Sequence, residues 1–297
     1  MFFQIYGIKN KSLPSFYYIR GMKAWFLFLS LTCANLFFAQ DTPNVADAKA
    51  STRSANVHIV SDSFYMPQLQ RYRRVLIYLP PDYGKTRKKY PVLYMHDGQN
   101  LFDDATSFVG EWQVDENLNE LAKNGGPQLI VVGIDHGEKK RQDELSPWKN
   151  EKYGGGEGGA YTEFIVETLK PFIDKNYRTK ANDTGIGGSS MGGLISLYAA
   201  AKYPTVFSKV LVFSPAFWFA LPQVKQQLTG AHFRGTKIYM IAGEKESAEM
   251  VDDAKQIADV LRNHKVGLLF KTDADGTHSE KYWNREFPAA IRYLYGK

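Results

Sequence analysis

A serine set among glycines, where a strand-like segment meets a helix-like segment, is the feature that most constrains the fold of this chain. Residues 187–193 read Gly-Gly-Ser-Ser-Met-Gly-Gly, which places Ser190 at the centre of a G-x-S-x-G motif. Residues 194–201 are apolar at helical spacing and end before Pro204. Glycines suit the flanking positions, because a sharp strand-to-helix turn brings them against neighbouring backbone and strains the serine. We therefore predict that Ser190 is an exposed nucleophile; a plain glycine-rich turn is the alternative.

Strand-like and helix-like segments alternate along the rest of the chain. Strands are expected near residues 57–60, 73–79, 92–96, 129–134, 184–187, 209–213, 238–242 and 267–271. Helices are expected near residues 112–123, 160–176, 191–202, 249–263 and 280–294. The first two strands look antiparallel, and the alternation after them is typical of parallel strands joined by helices. We predict an α/β fold over residues 56–297, with a mainly parallel central sheet and helices on both faces.

The first 39 residues differ from the rest of the chain. A basic start at Met22-Lys23 is followed by an apolar stretch and a small-residue site at Ala39. This pattern predicts a signal peptide over residues 1–39, cleaved after Ala39, with residues 1–21 an upstream extension if Met22 is the true start. The apolar run is too short for a stable membrane span, although an uncleaved anchor is the alternative. We expect a secreted or periplasmic protein with a flexible leader over residues 40–55.

Charge and cysteine content exclude other classes. The formal net charge is +6, but the first 39 residues carry four basic and no acidic residues before Gln40, so the mature chain has +6 − 4 = +2. No basic run interleaved with aromatic residues indicates a nucleic-acid partner. The only cysteine, Cys33, lies in the predicted signal peptide. Disulfides therefore cannot stabilise the mature chain.

A serine nucleophile needs a base and a group that orients that base. Where this kind of serine turn is used, the residues follow the chain order serine, acid, histidine. Of the six histidines, only His278 fits, since it follows the last predicted strand and precedes the last helix. His96 and His136 also follow strands at the expected sheet edge, but they precede Ser190. We interpret them as residues that line or support the pocket.

The acid is expected after the strand near residues 238–242. Glu244 and Glu246 both qualify by position. Glu246 is favoured, because a turn of two or three residues is usually needed to bring the carboxylate back toward the histidine. Glu244 stays open as the alternative.

Backbone N–H groups that bind the developing oxyanion complete such a site. One donor is expected at Met191, the residue after the nucleophile. The other is expected in the loop after the third strand, where Gly98 permits a tight turn and Gln99 presents its N–H. An ordinary strand-end turn is the alternative for this loop.

Together these segments resemble the putative-esterase family of α/β-hydrolases, which includes enterochelin esterases, feruloyl and acetyl-xylan esterases, human esterase D and the mycolyltransferases. The resemblance covers about residues 60 to 296. It rests on the segments 95–103, 187–193, 213–218, 243–246 and 276–283.

The resemblance implies an α/β-hydrolase fold and a serine carboxylic-ester hydrolase that uses no metal or cofactor. Ser190 would form an acyl-enzyme and His278 would first take its proton and later activate water. In this family the acid stands three residues after the strand-end glycine, which implies Glu246. Many members have aspartate there, so the acid is the member of the triad that departs from the family pattern.

In this family substrate choice lies in the loops. Residues 135–159 form a long connection that is expected to make one wall of the pocket and contains Trp148. Phe217 and Trp218 follow a strand at the same edge and could stack on an aromatic acyl group; packing of a helix on the sheet is the alternative. We expect an acylated carbohydrate or a siderophore-type ester as substrate. The alternatives are an acyltransferase of the mycolyltransferase kind and a catalytically silent carbohydrate-binding protein.

Overall fold

The structure is a computed structural model that describes residues 49–296 apart from Arg234. The predicted signal peptide and the cleavage after Ala39 lie outside the described residues. Among the residues described, no helix is long and apolar enough to span a membrane.

Eight strands form one central sheet. They are β1 (Val57–Met66), β2 (Arg71–Tyr78), β3 (Tyr90–His96), β4 (Ile130–Ile134), β5 (Thr179–Ser189), β6 (Phe207–Phe213), β7 (Lys237–Gly243) and β8 (Gly267–Asp273). Their spatial order is β1-β2-β4-β3-β5-β6-β7-β8. The pairs β1–β2 and β2–β4 are antiparallel and all other pairs are parallel. The predicted mainly parallel sheet is therefore confirmed.

Eight α-helical segments are described. They are α1 (Val114–Lys123), α2 (Arg141–Glu144), α3 (Gly158–Phe164), α4 (Lys170–Asn176), α5 (Met191–Lys202), α6 (Leu221–Thr229), α7 (Ala248–Arg262) and α8 (Glu280–Tyr295). A π-helical segment, Ile165–Leu169, joins α3 to α4, so the helix expected near residues 160–176 is present but not uniform. Helix α6 was not predicted from the sequence.

Both faces of the sheet are covered, as the continuous apolar strands predict. Along β3 the side chains of Val92 and Tyr94 belong to a hydrophobic cluster that includes residues of α3 to α7, and those of Leu93 and Met95 belong to a second cluster that includes residues of α1 and α8. All four side chains are buried. The helices thus bury the two faces of one sheet in two hydrophobic layers.

The chain contacts the domain before β1 begins. Ser51 Oγ donates to Asp103 Oδ2 at 2.8 Å, and the N–H of Ser54 donates to Asp115 Oδ2 at 2.8 Å. Thr52 Oγ1 donates to Glu111 Oε2 at 2.8 Å. We call residues 51–54 the N-terminal segment. It is hydrogen-bonded to the connection between β3 and α1 and to the first turn of α1.

Candidate active site

Ser190 lies on a sharp turn between β5 and α5. Its backbone has φ 56° and ψ −122°, a left-handed conformation that is strained for a residue with a side chain. Two hydrogen bonds fix it: the N–H of Ser190 donates to Phe213 O at 2.9 Å, and the N–H of Ala216 donates to Ser190 O at 3.0 Å. The strain is therefore held by the neighbouring strand β6 and the residues that follow it.

The glycine at position 188 permits the close approach around this turn. A Cβ on Gly188 would stand 3.2 Å from backbone atoms of Gly192 and 3.2 Å from Cδ2 of His96. The predicted reason for the flanking glycines is thus visible at this position.

His278 and Glu246 form a hydrogen-bonded pair. His278 Nδ1 lies 3.0 Å from Glu246 Oε2, and the Glu246 side chain is 1% exposed while that of His278 is 37% exposed. Glu246 Oε1 accepts from the N–H of Gly243 at 2.9 Å and from Ser214 Oγ at 2.5 Å. The carboxylate is held by three donors, so its orientation is fixed.

An indole extends this network. Trp283 Nε1 donates to Ser214 Oγ at 2.9 Å, and the Trp283 ring stands edge-on to the His278 ring with centroids 5.1 Å apart. Trp283 therefore supports the acid through Ser214 and packs directly against the imidazole.

Glu244, the alternative acid, points elsewhere. Its Oε1 accepts from Thr272 Oγ1 at 2.6 Å on the neighbouring strand. Of the two glutamates that the sequence left open, Glu246 is the one placed beside His278.

Ser190 and His278 line the same cavity, which has a volume of about 310 Å³. No hydrogen bond joins them, and Ser190 Oγ has no hydrogen-bond partner among the described residues. Catalytic hydrogen bonds are often long without substrate, so this geometry is compatible with a nucleophile and base that meet when an ester is bound.

Each of the two predicted oxyanion donors lies in the first turn of a helix. Met191 is the first residue of α5, and Gln99 lies in a one-turn 3-10 helix, Gly98–Asn100. The first N–H groups of a helix have no intrahelical partner and remain available to an anion. A Cβ on Gly98 would come within 2.8 Å of the Gly133 and Ile134 backbone, so only glycine lets this turn pack against β4.

Gln99 is further fixed by its own side chain and carbonyl. Its Oε1 accepts from the N–H of His136 at 3.1 Å, and its carbonyl accepts from Thr106 Oγ1 at 2.8 Å. Gln99 and His136 both line the cavity.

His96, interpreted from the sequence as a pocket-lining residue, lies in the cavity wall and is only 2% exposed. Its Nδ1 is 2.9 Å from the Tyr161 hydroxyl, and Nε2 has no partner among the described residues. Burial lowers the pKa of His96 to about 4. The imidazole is therefore neutral at physiological pH.

An ion pair that sequence reasoning missed lies in the cavity wall. Arg141 Nε donates to Asp97 Oδ1 at 2.7 Å and Arg141 Nη2 donates to Asp97 Oδ2 at 2.9 Å. Burial acts to raise the pKa of Asp97, but the charge and hydrogen bonds of Arg141 hold it below its usual value. The pair is ionised and bidentate, and it adds fixed charge next to His96.

Part of the cavity rim comes from residues 103–113, which we call the cavity loop. Its Phe108 side chain is 90% exposed and Val109 is 61% exposed, and both line the cavity together with Trp112. Exposed apolar side chains at a cavity mouth are available to a substrate. No periodic pattern of residues predicts the conformation of this loop.

The three aromatic residues predicted to bind substrate do not line this cavity. Phe217 is fully buried in the core between sheet and helices, and Trp148 packs edge-to-face on Tyr198. Trp218 is 37% exposed and packs edge-to-face on Tyr153. Packing thus accounts for the positions of Phe217 and Trp148, and for Phe217 this is the alternative stated above. The lining of this cavity gives no support to a substrate-binding role for Phe217, Trp148 or Trp218.

Comparison with known proteins identifies the family of this chain. A family model described as "Putative esterase" matches residues 67–294. The uncharacterized protein YbbA of Bacillus subtilis strain 168 is 27% identical, over 76% of this chain and 93% of that protein. The ferri-bacillibactin esterase BesA of the same strain is 26% identical, over 61% and 68%. An endo-1,4-beta-xylanase/feruloyl esterase of Xylanibacter ruminicola is 23% identical, over 75% of this chain and 29% of that protein.

The fold also occurs among solved structures. The BES protein from Bacillus cereus superposes with a TM-score of 0.65 and 21% identity, covering 83% of this chain and 97% of that one. This likeness shows a shared α/β-hydrolase fold.

Proposed function

Because the chain belongs to the putative esterase family and is an ester-hydrolysing enzyme, we propose that Ser190, His278 and Glu246 are its catalytic triad. One observation carries the proposal: His278, which is hydrogen-bonded to the fixed Glu246 carboxylate, lines the same cavity as the strained Ser190 turn. The N–H groups of Gln99 and Met191 are the proposed oxyanion donors.

The chemistry follows from this arrangement. With Nδ1–H donated to Glu246, His278 presents the lone pair of Nε2 to the Ser190 hydroxyl and takes its proton as Oγ attacks the ester carbonyl. The carbonyl oxygen becomes an oxyanion stabilised by the two N–H groups. When the tetrahedral intermediate collapses, His278 gives the proton to the leaving alcohol and an acyl-Ser190 remains.

Deacylation repeats these steps with water. The His278 side chain is 37% exposed, so water can reach the base and attack the acyl-enzyme. This exposure favours hydrolysis over transfer to a second alcohol, which requires water to be excluded.

The substrate class that the cavity suits best is an ester of an aromatic hydroxy acid, carried on a carbohydrate or a siderophore. Phe108, Trp112 and Trp283 give the cavity an aromatic wall, and the Asp97–Arg141 pair gives it polar groups that can bind hydroxyls. Relatives named as a ferri-bacillibactin esterase and a feruloyl esterase support this class.

Hydrolysis by the wild type and by Ser190→Ala tests the proposal. The panel is p-nitrophenyl acetate and butyrate, methyl ferulate, acetylated xylan and a catecholate trilactone. We expect Ser190→Ala to lower kcat by about 10⁴-fold or more, since the nucleophile acts as a unit with its base.

The matched control is the adjacent serine. A fluorophosphonate probe is expected to label the wild type and Ser189→Ala but not Ser190→Ala. Labelling that persists in a folded Ser190→Ala protein would place the nucleophile elsewhere.

We also propose export of the enzyme, on the sequence pattern of residues 1–39. N-terminal sequencing of the protein recovered outside the cytoplasm tests this. A mature chain that begins at Gln40 is expected, and a chain that keeps residues 22–39 contradicts cleavage.

A further inference from the structure

Three acidic side chains meet where the cavity loop leads into α1, and none of them lines the cavity. Glu111 lies near the end of the loop, and Asp115 and Glu116 lie in the first turn of α1. One carboxylate oxygen from each residue lies within 4.8 Å of the others. Acidic residues in a first turn interact favourably with the helix dipole, so their presence alone indicates no ligand.

The hydrogen bonds of these carboxylates point to a missing partner. Asp115 is fully buried; its Oδ2 accepts from the N–H of Ser54, but its Oδ1 has no partner among the described residues. Glu111 Oε1 and Glu116 Oε2 are likewise closed to solvent and unpartnered there. The helix dipole does not account for three such oxygens, because a buried acceptor without a donor is destabilising.

The charges around the cluster add to this cost. The charged groups that act most on Glu111 are other carboxylates, those of Asp115, Asp103 and Asp104. Carboxylates this close together repel one another, and a cation between them would relieve that repulsion.

We propose that Glu111, Asp115 and Glu116 bind a divalent cation of the Ca²⁺ type. The donor set is entirely oxygen, which suits Ca²⁺ rather than the nitrogen and sulfur ligands of Zn²⁺. Ca²⁺–oxygen distances are about 2.3–2.6 Å, so ligand oxygens on opposite sides of the ion stand roughly 5 Å apart. The 4.8 Å span of the cluster fits this dimension. Water or backbone oxygens would complete the coordination.

The cation would connect three parts of the chain. Glu111 and Asp115 accept hydrogen bonds from Thr52 and Ser54 of the N-terminal segment, and α1 follows the loop that carries Phe108. Binding would therefore fix the cavity loop against both the segment and the helix. The site does not depend on the proposed triad.

Terbium luminescence and thermal unfolding test the proposal directly. After EDTA treatment, the protein is titrated with Tb³⁺, a luminescent substitute for Ca²⁺, with excitation of tryptophan; Trp112 is the residue next to Glu111. We expect saturable emission that CaCl2 displaces. We also expect a Tm rise of roughly 5 °C when free Ca²⁺ is about 100 times its Kd.

The matched variants are Glu116→Gln and Glu120→Gln. Glu120 is exposed on the next turn of α1 and pairs with Lys123. We expect Glu116→Gln to weaken Ca²⁺ binding at least tenfold and Glu120→Gln to leave it unchanged. In EDTA, Glu116→Gln should have a Tm equal to or above that of the wild type, because the amide relieves repulsion; this readout separates lost binding from misfolding.

Several outcomes would overturn the cation site. They are the absence of saturable Tb³⁺ emission in the wild type, an equal Tm in CaCl2 and EDTA, or wild-type affinity in Glu116→Gln. Either of the first two would mean that the carboxylates share a proton instead, and the third would mean that the ion binds elsewhere. Ser190→Ala is expected to bind Ca²⁺ normally, so failure of the proposed triad and failure of this site are distinguishable.

Discussion

The proposed triad acid and the polar groups near β3 and α1 differ in how their buried atoms are hydrogen-bonded. On the side of β6, β7 and α8, the Glu246 carboxylate accepts hydrogen bonds from Ser214, Gly243 and His278. On the side of β3 and α1, buried polar atoms remain without partners among the described residues: His96 Nε2, Asn100 Oδ1 and an oxygen of each acidic residue in the cluster.

This difference separates groups whose hydrogen bonds are already formed in the free enzyme from groups that still need a partner from a ligand. A fully hydrogen-bonded carboxylate keeps its orientation in the free enzyme. An unpartnered buried group costs stability until a substrate, cation or proton pairs with it. We therefore expect substitutions on the first side to change catalysis most, and those on the second side to change responses to pH or ligand.

The largest effect is expected from Glu246→Gln. The amide keeps the size of the side chain but cannot stabilise the imidazolium, so kcat should fall by about 10³–10⁴-fold. Circular dichroism should show an unchanged fold. Glu244→Gln is the matched control, since that residue bonds to Thr272, and its kcat should stay within about twofold of the wild type. Equal losses in the two variants would contradict the assignment of the acid.

A smaller effect is expected from His96→Gln, on the side of β3 and α1. This substitution should change how the free energy of unfolding depends on pH. The pKa of His96 is about 4 in the folded state and about 6.5 when unfolded, so the unfolded chain binds more protons between these values. Stability contributed by the neutral imidazole is therefore lost as pH falls from about 6.5 to 4, and the loss approaches about 3 kcal/mol.

Urea denaturation of both proteins between pH 7 and pH 4.5 measures this difference. The wild type should lose more unfolding free energy on acidification than His96→Gln. Burial raises the pKa of Asp135 to about 6, which has the opposite effect on pH dependence. That contribution is common to the two proteins and cancels in the difference. Parallel curves would show that folding does not lower the pKa of His96.

The smallest effect is expected from Ser214→Ala. The change leaves Trp283 Nε1 and one Glu246 oxygen without this partner, which should cost about 1–3 kcal/mol of unfolding free energy. A looser Glu246 should also lower kcat by about tenfold. A double-mutant cycle with Trp283→Phe measures the coupling. Additive losses would mean that the indole does not act through Ser214.

The parts of the site that the sequence predicted lie where strands end. Side chains that follow parallel strands meet at one edge of the sheet, so Ser190, Glu246 and His278 could be grouped from their positions alone. Their roles as nucleophile, acid and base stay predictions. Helix α6 could also have been found, because Leu221, Val224 and Leu228 have helical spacing and a proline stands in the first turn, where a helix tolerates it.

The cavity walls could not be predicted in the same way. Arg141 is brought to Asp97 across 44 residues, and Ser51 to Asp103 across 52, so no local pattern reports these contacts. Aromatic residues that follow a strand near a site are equally suited to packing in the core, and Phe217 lies in the core. The loops of this enzyme are positioned by hydrogen bonds between residues far apart in the chain. Residue periodicity therefore does not predict their conformation.

The N-terminal segment has a consequence for how relatives of this enzyme are compared. Residues 51–54 belong to no strand or helix, yet they hydrogen-bond to the loop that carries Phe108. An alignment trimmed to the regular elements discards them. Two relatives with the same triad could then look interchangeable while differing in what supports the mouth of the cavity, so the ancestry of substrate preference should be traced through the stretch before the first strand as well.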